Sequence, residues 1–293
     1  MAELLLLDKR RVRESFAHAA DSYDTVAVLQ REIADRLLAR LEVVRLQPRV
    51  ILDIGCGTGY DVRQIARRYR RAQVVGLDIA EAMVQRARRK SGLWCRMTGR
   101  CAFSCGDAER LPVAAASVDM VISNLTLQWC DPPTVFAEAR RVLRSGGLLM
   151  FTTFGPDTLR ELRAAWRAAD DTPHVHGFID MHDLGDMLMH AGFADPVMDM
   201  ERFTLTYANA MEVMRDIKGL GAHNVATART RGLTGKARFA RFRAAYESLA
   251  RNGKIPATYE AVYGHAWAPE TEPTQAREGV AVVPVGRIER RTR

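Results

Sequence analysis

Three glycines two residues apart, Gly55, Gly57 and Gly59, break the apolar run VILDIGCGTG (50–59) just after Asp53. Glycine has no Cβ, so a turn built from them lets the main chain close on a ligand. Alone, G-x-G-x-G says little. The dinucleotide fingerprint wants a further glycine where Tyr60 stands, and a Walker loop would need Lys-Ser or Lys-Thr after the last glycine. Asp78 strengthens the case. It closes the run QVVGLD, nineteen residues beyond Gly59 and just before Ile79, where a carboxylate can accept both ribose hydroxyls of an adenosine. Asp107 in GDAERLP is placed to accept an adenine amino group, with Ala108 along the ring, and Asn124 and Leu125 in SNLTLQW reach the same rim. Taken singly, each can equally be a loop residue satisfying its own turn. Together they put ligand-type residues at four successive strand ends.

The elements that must position them are legible. After Pro48 the pattern predicts a strand over 49–54, a helix near 61–70, a strand over 73–77, a helix over 80–90, strands over 101–105 and 118–123, a helix over 132–143 and a strand over 147–154. Strands alternating with helices imply a largely parallel sheet, which binds ligands beyond the carboxyl ends of its strands. Ahead of this core, 10–23 and 25–46 have helical spacing, with Val28, Ile33, Leu37, Leu38 and Leu41 on one stripe facing the sheet. Past 155, helices near 157–169 and over 181–190 lead to strand character in FADPVMDMERFTLTY, a helical stretch broken by KGLGAHN, and a last strand in ATYEAVYGHAWAP. The helical piece over 208–253 is a candidate lid inserted between two late strands. The expected organisation is one domain over 1–268, including the helices of 10–46 and this lid, and a flexible tail over 269–293.

Composition is that of an ordinary folded protein, 47% hydrophobic and 27% charged, with a net charge of +8 carried mostly by arginine. That surplus suits nucleic acid, an acidic protein or a phosphorylated small molecule, although Arg67, Arg68, Arg70 and Arg71 read more simply as a solvated face. No apolar run is long enough for a membrane span, and the four leucines of MAELLLLDKRR lack a preceding basic stretch, so a cytoplasmic protein is expected. Five cysteines without an export signal predict free thiols, with Cys101 and Cys105 in a buried strand beside Cys95 and no metal site.

With DIGCGTG, Asp78 and Asp107 in these places, the chain resembles the class I S-adenosylmethionine-dependent methyltransferases. The resemblance implies an α/β Rossmann-like fold with a mostly parallel seven-stranded sheet, the glycine loop under the methionine part, Asp78 on the ribose and Asp107 near the adenine. A nucleoside carrying an amino acid has no pyrophosphate, so no phosphate loop is needed. After the fourth strand there is no N/D-P-P-Y/F tetrad, which argues against methylation of adenine or glutamine amides, and aromatic platforms for nucleic acid are missing.

The segments VRESFAHAADSYDTVAVLQREIADRLL, SNLTLQWCDP, FTTFGPDTLRELRAAW, DDTPHVHGFIDMHDLGDMLMHAGFADPVMD, MEVMRDIKGLGAHN and PATYEAVYGHAW resemble one family more closely, over about residues 10–268. It is the malonyl-acyl-carrier-protein O-methyltransferase family of biotin synthesis. The resemblance implies methyl transfer from S-adenosyl-L-methionine to the free carboxylate of malonyl-acyl carrier protein, leaving S-adenosyl-L-homocysteine and a methyl ester for the early pimeloyl stage. A malonyl carboxylate is ionised at neutral pH and needs no general base, so the site should supply donors and alignment. Candidates are Tyr23, Lys218, His176 and Gln128, with Trp129 and His174 as cavity walls and His223 and Asn224 in the lid. Each has a plainer alternative in core or loop packing. Arg10, Arg11 and Arg13 on the first helix, and Arg229, Arg231, Lys236, Arg238, Arg241 and Arg243 on the insertion, form a basic rim suited to an acidic carrier, or merely solubilise two helices. A monomer with no nucleic-acid or membrane partner is expected. Two other readings stay open: a complex I assembly factor-like protein arginine hydroxylase, similar in FGPDTLRELR and PATY, and a methyltransferase for a small quinone-type acceptor.

Overall fold

The computed structural model describes residues 8–170, 174, 175, 177–221 and 235–270. Seven strands, β1 (Val50–Ile54), β2 (Gln73–Asp78), β3 (Cys101–Cys105), β4 (Val118–Ser123), β5 (Leu143–Phe154), β6 (Ala194–Tyr207) and β7 (Ile255–Trp267), form one sheet in the order 3-2-1-4-5-7-6. Neighbours from β3 to β5 are parallel, while β7 runs antiparallel to both β5 and β6. Successive strand residues point to opposite faces. Ile51, Val74, Met120, Ile122, Leu148 and Met150 therefore join one core, while Leu52, Ile54, Leu77, Val121, Leu149 and Phe151 join the other. Strand order reverses between β1 and β4, and in an open α/β sheet the ligand crevice lies at that switch point.

Helices α1 (Lys9–Ala19), α2 (Tyr23–Val26) and α3 (Val28–Ala39) precede the sheet. Asp8 caps α1 by accepting from Arg10 N and Arg11 N. α3 buries Ala34 and packs Leu29, Ile33 and Leu37 in the first core, each large side chain contributing about 1.5–3 kcal/mol. Arg40 then ties this segment to β6, 2.7 Å from Glu201 and 2.6 Å from Asp199. α4 (Tyr60–Arg68) and α5 (Glu81–Lys90) make the first crossovers, followed by α6 (Gly92–Thr98), α7 (Pro132–Val142), α8 (Arg160–Arg167) and α9 (Met181–His190). Between β6 and β7 lie α10 (Ala210–Gly219) and α11 (Lys236–Glu247). α11 rests on α8 through Phe242, whose ring stacks on Trp166 at 4.0 Å.

The alternating core is where the sequence places it, and the corrections lie at its margins. The expected helix over 25–46 is broken at Ala27, and its last turn, Arg40–Val43, is a 3-10 turn. Ile33, Leu37 and Leu41 of the expected stripe are buried, but Val28 is 61% exposed and Leu29 takes its place. β3 is an edge strand, so Cys101 is half-buried and Cys105 exposed, not core thiols. Cys95 and Cys101 form a disulfide, because α6 turns the chain back and brings their Cα atoms to 5.2 Å. Cys56, Cys105 and Cys130 are free. The expected tail lies almost wholly outside the described residues.

Candidate active site

Where β1 ends, the chain turns through Gly55 and Gly57 to start α4. Gly55 has φ +76°, and a Cβ there would stand 1.9 Å from Thr126 Oγ1, so nothing larger fits without rebuilding the β4 rim. Gly57 has φ +49° and open space where a Cβ would go. Asp78 fastens this loop, accepting from Gly57 N and Ala80 N at 2.9 Å each. Above it lies a cavity lined by Gly55, Gly57, Asp78, Ile79, Asp107, Ala108, Asn124 and Leu125. Thus eight of the ten residues expected at a nucleoside site converge at the carboxyl ends of four strands.

Asp53 and Gly59 do not line it. Asp53 is fully buried beneath the loop. At Gly59 a Cβ would meet Ala87 at 3.0 Å and Phe103 at 3.1 Å, so that glycine serves the packing of α4 against α5 and β3. Both oxygens of Asp53 are buried without a hydrogen-bond partner among the described residues. Burial, with the nearby Asp61 and Asp78 charges, pushes its pKa well above the ordinary carboxylate value. Burial raises Asp61 to about 7, and raises Asp78 to about 6 against the pull of its two backbone N–H donors. Arg63 opposes the rise at Asp61, but no cation among the described residues does so at Asp53 or Asp78. A ligand with a sulfonium, an ammonium and ribose hydroxyls supplies what they lack, so these residues fit S-adenosylmethionine.

The roof comes from α1, which contributes Lys9, Val12 and Phe16. Phe16 meets Trp129 edge-on at 5.4 Å. Lys9 Nζ lies 2.7 Å from both Asp107 oxygens and 2.6 Å from Glu109. The carboxylate expected at the adenine is therefore already paired to the roof. The open space is only about 80 Å³, below the roughly 300 Å³ at which small-molecule sites begin.

A second, larger cavity of about 620 Å³ lies beneath α10. Its walls are largely apolar, with Phe154, Leu162, Trp166, Phe178 and Tyr259 among them. Trp129 lines both cavities, which marks the inner end of the second. Beside it, Gln128 Nε2 donates to Leu125 O at 2.7 Å, and Gln128 Oε1 accepts from Thr153 Oγ1 at 3.2 Å. That fixes the amide and leaves one N–H to spare. Gln30 lines the same cavity and has a buried Oε1 without a partner among the described residues. His174 forms part of the wall, stacked on Trp166 at 3.7 Å and hydrogen-bonded to Asp170 at 2.9 Å.

The candidates for handling the acceptor separate accordingly. Gln128 and Lys218 both line the second cavity, but Lys218 is exposed. Tyr23 lines the first cavity, and burial and then the charges of Asp78, Asp61 and Asp24 hold its phenol protonated far above the ordinary range. His176, His223 and Asn224 lie outside the described residues, as do Arg229 and Arg231. Much of the expected basic rim is internally neutralised: Arg10 pairs with Glu14, Arg11 with Asp8, Arg238 with Asp170 and Arg243 with Glu247. The sequence reading missed Lys9, Phe16 and Gln30. Their helices were legible, but which face would meet a ligand was not.

Comparison with known proteins agrees with this geometry. Residues 52–151 match the family model described as "Methyltransferase domain". The crystal structure of the YcgJ protein from Bacillus subtilis superposes with a TM-score of 0.54 at 15% identity, covering 80% of this chain and 98% of that one, a likeness of fold. The malonyl-[acyl-carrier protein] O-methyltransferase of Gallionella capsiferriformans is 52% identical over 281 residues, 95% of this chain and 96% of that protein. That of Halorhodospira halophila is 52% identical over 291 residues, 98% and 97% of the two chains. Identity at this level over nearly the whole length reaches α1 and the segment between β6 and β7 as well as the glycine loop, and so the chain belongs to the malonyl-[acyl-carrier protein] O-methyltransferase family.

Proposed function

We propose that the chain methylates the free carboxylate of malonyl-acyl carrier protein, giving the methyl ester used in the early pimeloyl stage of biotin synthesis. The observation that carries this reading is that Trp129 lines both the loop cavity walled by Asp78 and an apolar cavity large enough for a thioester arm. S-adenosyl-L-methionine supplies a methyl group on a cationic sulfur, and S-adenosyl-L-homocysteine is its product.

Donor and acceptor carry opposite charges that cancel as the methyl moves. A cation fixed on the reacting oxygen would stabilise the ground state more than the transition state. Neutral donors suit this chemistry better, and the spare N–H of the Gln128 amide, beside Trp129, is such a group. It orients the carboxylate while leaving it nucleophilic. Apolar walls exclude water and strengthen the attraction between the reactants. Asp78 holds the loop through Gly57 and keeps lone pairs for ribose hydroxyls. No residue has to take a proton, since the acceptor is already ionised. The cytoplasmic setting, the monomeric state and the exclusion of nucleic acid belong to the same proposal.

Incubation with a donor carrying a labelled methyl group tests it. The reading requires label in a base-labile ester on malonyl-carrier and none on acetyl-carrier. Hydroxylation of a protein arginine, or label on a quinone-type acceptor, with malonyl-carrier inert, would refute it.

A further inference from the structure

Charge is distributed unevenly along the second cavity. Its inner end presents the Gln128 amide beside Trp129, and most of its walls are hydrocarbon. Only three of its lining residues are exposed, Met211, Arg215 and Lys218. Spaced four and then three apart on α10, they form one stripe along the outer edge. Most cations whose placement is described on the neighbouring elements are engaged: Arg160 with Asp157 and Glu161, Arg202 with Asp157, Arg238 with Asp170, and Arg241 with the carbonyl of Ala169. Arg215 and Lys218 form no ion pair or hydrogen bond among the described residues. Asp216 and Glu212, the acids on their own helix, are turned elsewhere: Asp216 accepts from Tyr207 Oη at 2.6 Å, and Glu212 accepts from the backbone of Ala208 at 3.0 Å. Two cations without a partner among the described residues, at the mouth of an apolar cavity, suit an anion at the outer end of whatever fills it.

We propose that Arg215 and Lys218 bind the phosphate at the outer end of the substrate's phosphopantetheine arm. This rests on the reading above, in which the substrate is a malonyl thioester on such an arm. The arm is apolar and amide-bearing between two anionic ends, and the cavity has the matching order of an amide, hydrocarbon and cations. A guanidinium and an ammonium on adjacent turns can grip one phosphate together, the first through paired N–H donors and the second as a point charge. Lys218 then serves the phosphate, and the malonyl carboxylate lies at the other end. The same cations could instead meet carboxylates of an acidic carrier, and the test separates the two.

The probes are malonyl-phosphopantetheine and malonyl-pantetheine, which differ by the phosphate and carry no protein. The full-length enzyme and its Arg215→Gln, Lys218→Gln double variant are compared in steady state, with Arg71→Gln, before β2 at the opposite end of the strands, as the control. The wild type and the control should favour the phosphorylated arm by about tenfold in KM, as expected for one charge-assisted contact. The double variant should lose that preference with kcat and donor affinity unchanged. A double variant that keeps the preference overturns the proposal, as does a wild type without one. If the variant keeps it but binds full malonyl-carrier more weakly, the cations serve the carrier's carboxylates and the phosphate assignment is wrong. Turnover of malonyl-carrier and of neither small thioester also overturns the phosphate site while leaving the proposed function standing. Failure of the wild type to methylate any of the three overturns the proposed function itself.

Discussion

Replacing Asp78 by Asn separates the fold's interest in that residue from the ligand's. Asp78 is 8% exposed, and burial raises it from an ordinary 3.8 to about 6. Holding its charge at pH 7.5 thus costs the free protein about 3 kcal/mol, at about 1.4 kcal/mol per tenfold in acidity constant. Asn removes that cost but turns an amide N–H toward one of the two backbone donors now bound to the carboxylate, a loss of about 1–3 kcal/mol. The two effects nearly cancel, so the unliganded variant should stay within about 2 kcal/mol of wild type in calorimetric stability. Binding has no such compensation. Asn keeps one acceptor for the ribose, and a hydrogen bond from a ribose hydroxyl to a charged acceptor contributes about 1.5–3 kcal/mol, so donor affinity measured by titration calorimetry should fall about 10- to 150-fold. An Asn variant that binds S-adenosylhomocysteine like wild type would refute the assignment of Asp78 to the ligand. A variant that loses affinity only because it no longer folds would refute the stability argument.

Acidity gives a second check. Asp61 and Asp78 have raised folded values of about 7 and about 6, so stability from these groups is fully present below about 3.8 and is lost as pH rises through 6–7. The melting temperature of the free enzyme should therefore hold or rise between pH 8 and pH 6, while donor affinity falls over the same interval; parallel falls in both would contradict the signs. Gly55→Ala should fail to fold stably, since its Cβ would overlap Thr126, whereas Gly57→Ala should cost the fold only about 1–2 kcal/mol for its left-handed φ and lose donor binding. Calorimetry and ligand titration on the pair distinguish these outcomes. Gln128→Leu should lower kcat at least tenfold with unchanged affinity for S-adenosylhomocysteine, because one neutral donor to the carboxylate is gone; unchanged kcat would remove Gln128 from the reaction. Phe16→Ala breaks the roof's contact with Trp129, worth about 0.5–1.5 kcal/mol beyond its area, and should speed donor dissociation; an unchanged off-rate would mean that α1 does not gate the cavity.

The sequence carried the sheet and its ligand rim because period-2 strands and strand-end acids are local signals. Asp78, Asp107 and Asn124 could be placed at one rim before any coordinates, since a parallel sheet brings its carboxyl ends together. What it could not carry was orientation across contacts far apart in the chain. Gly59 reads like Gly57, yet one meets Ala87 and Phe103 while the other faces open space. Lys9 looks like one more basic residue of α1 until Asp107, 98 positions away, is found beneath it. Leu29 holds the core place expected of Val28, and α6 brought Cys95 to Cys101. Tyr23 illustrates the limit most clearly, since only the turn after α1 decides which of two adjoining cavities its ring enters.

The central claim is that the two cavities meeting at Trp129 join a methyl donor to a malonyl carboxylate. Tandem mass spectrometry of malonyl-acyl carrier protein after turnover tests it most directly, by ejecting the pantetheine arm and weighing it. The account predicts a gain of one CH₂ located on the malonyl group, none on an acetyl-loaded carrier, and one S-adenosylhomocysteine per ester. Methyl groups on the carrier polypeptide, or an unmodified malonyl arm despite tight donor binding, would contradict it.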